Sequence, residues 1–283
     1  MKNQGLITEE YVNTVIKRRK RDIHKGDCGK VLLIAGSFGM AGAAVLCGWG
    51  ALRSGAGLVR IAVPEELFTI IQVSVPEATC IPRTSLNMDL RQYDAIAVGP
   101  GLGEDSNNAE LIKTILAGYD KTLVLDADGL NQISHSHLFE QLKKAACKVI
   151  ITPHIGEAAR LLQIRPSEAK KMERQELAEH LVQATNAIVV LKGEGTIVAM
   201  PNSDSYTNTT GNPGMATGGS GDVLTGIITA LAGQGLEPED AAKAGVYIHG
   251  LAGDLGTESF GEYGLVARDI ASMSALAIKK IMG

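Results

Sequence analysis

Short runs of consecutive apolar residues punctuate the chain: VLLIAG at 31–36, LVRIAVP at 58–64, AIAVGPG at 95–101, TLVLDADG at 122–129, KVIITPH at 148–154 and AIVVLKG at 187–193. Apolar residues at successive rather than alternate positions predict strands covered on both faces. Between the runs lie helical patterns: an amphipathic segment at 8–20, the small-residue stretch GAAVLCGWGALRSG, and segments near 106–117 and 170–184. Strand, helix and strand repeated in this way predict a parallel sheet with helices on both sides. TIVAMP at 196–201 follows its predecessor after two residues, which predicts a hairpin and hence a mixed sheet. SYTNTT at 205–210 is rich in β-formers and reads as a strand or extended segment. Two last helices are expected at 238–255 and 265–281. No linker, low-complexity tract or repeat interrupts the pattern, so residues 1–283 read as one domain.

Composition narrows the class. Of 283 residues 45% are hydrophobic and 20% charged, an ordinary globular balance, but only 4% are aromatic, so Val, Ile, Leu and Ala must build the core. The formal charge of −4 offers no general attraction to nucleic acid or to an acidic membrane face. The single basic run, KRRKR at 17–21, reads as a solvated helix end. Cys28, Cys47, Cys80 and Cys147 form no close-spaced pair and suit reduced thiols better than disulfides or a zinc site. The beginning of the chain has no apolar signal core, and no apolar run is long enough to cross a bilayer. These features lead to the expectation of a soluble cytoplasmic protein.

The 33 glycines, well above the average of about 7%, change the picture, because they gather where strands end. The densest cluster is GNPGMATGGSGDVLTGII at 211–228, with six glycines in eighteen residues and one acid, Asp222. Val223, Leu224, Ile227, Ile228 and Leu231 recur at helical spacing, so a helix with a buried face starts near 219–222. A glycine-rich turn opening a helix presents free N–H groups and the positive end of the helix dipole. That makes an anion cradle, phosphate being the usual anion, with a plain turn as the alternative. Other strand ends carry Gly36 to Ala43, Gly99 to Gly103, Asp126-Ala127-Asp128-Gly129, Thr152 to Glu157 and Lys192 to Thr196. In open α/β sheets ligands sit beyond the carboxyl ends of the strands. The first loop lacks the dinucleotide-fold glycine spacing and no Walker A lysine motif occurs.

Taken together, HKGDCGKVLLIAGS at 24–37, AVGPGLG at 97–103, LDADGLN at 125–131, TPHIGE at 152–157, VLKGEGT at 190–196 and NPGMATGGSGDVLTG at 212–226 resemble the nucleotide-dependent NAD(P)H-hydrate dehydratases. The resemblance runs from about residue 20 to the C-terminus, with the last motif the most specific. It implies a ribokinase-like α/β fold, with a mostly parallel central sheet and helices on both faces. It also implies the stand-alone dehydratase, without the epimerase domain to which family members are often fused. Carried over by motif, Asp222 is the catalytic acid of the superfamily, and Gly219, Ser220 and Gly221 form its anion hole. Ala43, Gly103, His154 and Asp222 contact substrate. Lys192, Gly193, Glu194, Gly195, Thr196 and Gly221 bind nucleotide. Glu157 organises Mg²⁺ through water. Position 155, commonly proline in the family, is Ile155 here.

The implied substrates are NADH or NADPH hydrated across a nicotinamide double bond, and ADP or ATP. Hydroxide leaves poorly, whereas phosphorylation turns the hydroxyl into phosphate, which the ring nitrogen lone pair can expel. The partners expected are small molecules and further copies of the chain in a homotetramer, with no nucleic acid and no membrane. A vitamin-precursor or sugar kinase of the same superfamily shares the cradle and the acid, and is the alternative. His135 and His137 read as solvated, and His249 as packed and hydrogen-bonded. Asp126 and Asp128 either touch the site or cap the following segment.

Overall fold

Ten strands and twelve α-helices are present in a computed structural model that describes residues 4–85, 89–105, 107–201 and 204–283. The strands are β1 (Gln4–Ile7), β2 (Lys30–Ile34), β3 (Leu58–Val63), β4 (Thr79–Pro82), β5 (Ala95–Val98), β6 (Thr122–Leu125), β7 (Lys148–Ile151), β8 (Ile188–Leu191), β9 (Ile197–Ala199) and β10 (Ser205–Asn208). The helices are α1 (Glu9–Val15), α2 (Ala41–Arg53), α3 (Phe68–Ser74), α4 (Asn107–Gly118), α5 (Ala127–His135), α6 (Phe139–Lys143), α7 (Ile155–Leu161), α8 (Pro166–Ala169), α9 (Arg174–Thr185), α10 (Ser220–Gly233), α11 (Pro238–Gly264) and α12 (Ala267–Met282). They form one sheet in the order β1-β10-β9-β8-β7-β6-β5-β2-β3-β4. All neighbouring pairs from β8 to β4 are parallel, and β9 alone runs against both its neighbours. The expected hairpin and mixed sheet are therefore present.

Consecutive apolar residues in a strand face opposite sides, and the core accordingly falls into two layers. Val31, Leu33, Ala95, Ala97, Val124 and Ile150 pack under α2, α10, α11 and α12. Leu32, Ile34, Ile96, Val98, Leu123 and Leu125 pack under α4, α5, α7 and α9. α2 and α10 touch backbone to backbone. A Cβ at Gly226 would stand 2.1 Å from the Cys47 carbonyl oxygen, and one at Gly50 would stand 2.4 Å from that of Val223. Any larger residue there would force the two helices apart.

The chain runs outward from β2 to β3 and β4, then crosses to the other side of β2 for β5 and proceeds to β8. The strand order thus reverses between β2 and β5, the place where open α/β sheets leave a crevice.

Two expectations need correction. The first helix ends at Val15 instead of reaching residue 20: Ile16 turns to an extended conformation and residues 17–21 are exposed. Five successive cations would place like charges three and four apart on a continued helix. Arg18 instead donates to the Met282 and Gly283 carbonyls, and Arg19 to that of Gly55. The helix expected to end at 255 continues to Gly264, with a kink at Gly261 (φ 69°). Of the helix expected at 106–117, residue 106 lies outside the described residues, and α4 covers the remainder.

Candidate functional site

The start of α10 decides the local chemistry. Gly219, its N-cap, has φ 92°, and a Cβ there would stand 2.2 Å from Leu46 Cδ1 on α2. Only glycine fits both the left-handed backbone and the contact. The first turn that follows, Ser220-Gly221-Asp222, carries N–H groups with no intrahelical partner. His249 braces this turn from α11: its Nε2–H donates to the Ser220 carbonyl at 2.9 Å. Burial pulls the His249 pKa down to about 4, so the ring is neutral. The expectation of a packed, hydrogen-bonded histidine holds, and it packs against the first turn of α10.

Below that turn lies a cluster of charges drawn from three strand ends and from α10 itself. Lys192, just past β8, places Nζ 2.6 Å from Asp126 Oδ1 and 3.8 Å from Glu157 Oε2. Asp126, past β6, is 1% exposed, and its other oxygen accepts from Thr225 Oγ1 of α10 at 2.8 Å. A Cβ at Gly221 would lie 3.2 Å from Lys192 Nζ. Asp222 stands among these groups. Burial raises its pKa, Asp126 adds to the rise and Lys192 counters it, leaving the carboxyl at about 7. Burial works against the Lys192 ammonium, but Asp126 and Glu157 more than offset this, so its pKa is raised and it stays charged.

His154 and Glu157 form the wall beyond β7. His154 is the N-cap of α7. Its Nδ1 accepts from the N–H groups of Gly156 (2.9 Å) and Glu157 (3.3 Å), while Glu157 Oε2 accepts from His154 N–H at 2.8 Å. With Nδ1 an acceptor, the neutral ring carries its proton on Nε2, which lies 3.4 Å from Glu157 Oε1. The His154 side chain is 52% exposed and that of Glu157 only 6%. Ile155 is the first residue of α7, a position where proline is common because its N–H would be unpaired anyway. The departure at 155 therefore leaves the cap intact.

The loops at the switch point are built from backbone. Gly36 N–H donates to the Pro100 carbonyl at 2.8 Å, and Gly103 N–H to Asp128 Oδ2 at 2.9 Å. A Cβ at Gly103 would meet Ser37 Oγ at 2.9 Å, and one at Gly101 would meet Ala43 Cβ at 2.8 Å. Ala43 of α2 thus lies against Gly101, and Gly103 against Ser37, so the loops after β2 and β5 pack on each other at the switch point. The β8–β9 connection is a third glycine loop. Thr196 Oγ1 closes it on the Gly193 carbonyl at 2.9 Å, and Gly193 and Glu194 are exposed.

Hydrogen bonds and short contacts therefore connect Gly221, Lys192, Glu157 and His154, with Asp222 inside the same electrostatic field. Gly193 to Thr196 leave this cluster along the outside of the hairpin, and Lys192 is the member of that run which reaches the buried charges. The sequence left Asp126 open between touching the site and capping α5, and Thr225 escaped it altogether. Asp126 occupies the N-cap position of α5 but makes no capping bond, because its carboxylate is taken by Lys192 and Thr225. Thr225 had a signal, a hydroxyl inside an otherwise apolar helical pattern three residues beyond Asp222. Asp128 reaches Gly103 and Asn131. His135 and His137 are exposed. Among the described residues no three His, Cys, Asp or Glu side chains group as a metal site, all four cysteines are free, and no helix is long and apolar enough to cross a membrane.

Residues 31–275 match the family model described as NAD(P)H-hydrate dehydratase. The chain belongs to this family. A bifunctional NAD(P)H-hydrate repair enzyme from Moorella thermoacetica is 37% identical over 99% of the chain, which covers 54% of that enzyme. The chain spans about half the length of such bifunctional relatives. The ADP-dependent (S)-NAD(P)H-hydrate dehydratase of Bacillus subtilis is 34% identical, covering 94% of this chain and 95% of that one. A crystal structure of the ADP/ATP-dependent dehydratase from the same organism, co-crystallized with ATP/Mg²⁺, superimposes with a TM-score of 0.87 and 34% identity over 98% of both chains. A ribokinase-like superfamily protein from Enterococcus faecalis also gives 0.87, at 28% identity, over 98% of this chain and 96% of its own. The fold of this family member is thus ribokinase-like, as its motifs implied.

Proposed function

We propose that the chain is an ADP/ATP-dependent (S)-NAD(P)H-hydrate dehydratase, restoring NADH or NADPH from the hydrated forms. The observation that carries this is Asp222, set in the first turn of α10 beside Gly219, Ser220 and Gly221, with the Lys192 ammonium beneath. Phosphoryl transfer needs positioning, charge neutralisation and a group to take the hydroxyl proton. In this reading the Asp222 carboxylate takes that proton. The free N–H groups of the turn and the Lys192 ammonium stabilise the moving phosphoryl. The phosphorylated hydrate then loses inorganic phosphate as the ring nitrogen lone pair pushes in, and loss of a ring proton restores the dihydropyridine. Gly193, Glu194, Gly195 and Thr196 would carry the nucleotide, and Ala43, Gly103 and His154 the hydrated dinucleotide. We also propose that residues 1–283 form one domain, working as a cytoplasmic homotetramer.

Mg²⁺ fits this site in one way only. The described residues offer no all-protein cage, and Mg²⁺ typically keeps its waters and rides on substrate phosphates with one or two carboxylates. Glu157 is the carboxylate that would hold it, through water, and when bound it would neutralise the nucleotide phosphates.

The test mixes the protein with hydrated NADH, Mg²⁺ and ADP or ATP, following dihydronicotinamide absorbance and phosphorus NMR. Inorganic phosphate and NADH are expected together, one for one with nucleotide consumed. A lasting phosphate ester, formed on a sugar or hydroxymethylpyrimidine at least as fast as on the hydrate, would establish the small-molecule kinase instead.

A further inference from the structure

Arg83 lies outside every motif considered so far, yet its side chain crosses the crevice. It follows β4, the edge strand, two strand spacings or about 10 Å from β2. Its guanidinium reaches back over β3. It donates to the carbonyls of Ala35 (3.0 Å) and Gly36 at the end of β2, and of Leu102 (3.1 Å) in the loop after β5. These carbonyls adjoin Ser37 and Gly103, which pack against each other where the two loops meet. Among the described residues no carboxylate lies within ion-pair distance of Arg83, and its buried Nε–H has no hydrogen-bond partner. Asp105 is the acid whose field reaches it.

A guanidinium spends planar, divergent donors on three carbonyls in a way that a lysine cannot. It joins the two loops at the point where the strand order reverses, and so fixes the spacing of the walls contributed by Ala43 and Gly103. It also leaves a positive charge without a neutralising acid behind that crevice, which favours an anionic ligand there. The nucleotide loop, after β8, lies four strands from β2 on the opposite side from β4, and among the described residues no hydrogen bond of Arg83 reaches it.

We infer that Arg83 is a positioning residue for the dinucleotide substrate: it clamps the Ala35–Ser37 loop to the Leu102–Gly103 loop and has no part in nucleotide binding. The nature of that dinucleotide rests on the dehydratase reading.

The test measures binding and turnover separately. NADPH is titrated by its fluorescence, and ADP by calorimetry, against the full chain and its Arg83→Gln and Arg83→Lys variants. Both variants are expected to weaken NADPH at least about tenfold, as loss of charge-assisted bonds at a positioned wall predicts, with ADP affinity within about twofold of the parent. In turnover the KM for hydrated NADPH should rise by the same factor, with kcat changed less. Unchanged NADPH affinity would overturn the inference. So would equal loss of both ligands, the mark of a merely structural arginine, or full rescue by Arg83→Lys, the mark of charge without the clamp. Should a variant fail to fold, hydrogen exchange on the parent decides. NADPH must slow exchange in peptides spanning 35–40 and 101–104 more than ADP does, and equal or absent protection overturns the proposal. A parent that binds NADPH but does not regenerate it would sink the dehydratase reading and leave the Arg83 comparison standing.

Discussion

The two ends of the crevice are built from different materials. At the start of α10, Asp222, Asp126, Lys192 and Glu157 crowd together with little access to water, so their charges act through a low dielectric, and burial together with Asp126 raises the Asp222 carboxyl. At the switch point between β2 and β5 the surfaces are backbone, small side chains and one arginine that holds carbonyls. The first arrangement suits a step in which charge moves. The second suits recognition of a large ligand by shape, since glycine and alanine leave room and fixed carbonyls set the walls. If the proposed roles hold, mutations at one end should change reaction and at the other selection.

The largest expected effect lies at the charged end. Asp222→Asn preserves shape and removes the proton acceptor, so turnover should fall by at least about 10²-fold while calorimetry still finds nucleotide bound. Near-parental turnover would dissolve the distinction between the two ends.

Asp126→Ala comes next, and its effect should appear in stability. It strips the Lys192 ammonium of its nearest carboxylate and Thr225 of its acceptor, so urea unfolding should show a loss of about 3 kcal/mol, the low end for breaking a buried pair. A loss well under about 1 kcal/mol would mean that water screens this cluster as it screens surface pairs.

Gly195→Val probes the glycine loop after β8. Gly195 has φ 56°, and a Cβ there would stand 3.3 Å from Thr207 Cγ2. ADP affinity should drop about tenfold, roughly 1.4 kcal/mol, with NADPH binding unaltered. Equal affinities in parent and variant would make this loop a hairpin and nothing more.

The last prediction concerns pH dependence. With Asp222 raised to about 7, its base form dominates only above that pH, so kcat/KM should climb through an acid limb near pH 7 and lose the limb in Asp222→Asn. Stability runs the other way. The folded carboxyl keeps its proton from about pH 4 to about 7 where the unfolded one has lost it, so the parent loses stability as pH rises across that window. Asp222→Asn should therefore melt above the parent at pH 8, the gap closing towards pH 4. A gap that widens on acidification would contradict a raised pKa.

Sequence alone revealed the interior strands, because residues buried on two faces must be apolar throughout. β1 and β4, at the two edges, were missed for the same reason in reverse: QGLI and TCIP are short and lack a full apolar run. Motifs located the charged end well, since a glycine-rich helix start followed by an acid has few other uses. The Asp126 partnership was not legible, because whether an acid before a helix caps it or points away depends on what another strand, sixty-six residues later, sets beside it. Arg83 left no trace in the pattern at all. Its partners are carbonyls, which every residue has.

One pairing carries a consequence for how the molecule is made. β1 lies parallel to β10, with Gln4 opposite Ser205 and Ile7 opposite Asn208, so β1 completes an edge that does not exist until about two hundred more residues have followed it. At roughly 5–20 residues per second of synthesis, that is a wait on the order of 10–40 s. Through that interval Ile7, fully buried in the finished fold, has no surface to cover it. The nascent chain must then carry an unmated strand, and later a bare β10 edge able to recruit a stranger's backbone. Long-range closure of this kind is slow, and the period before it is when a ribosome-associated chaperone would have most to shield.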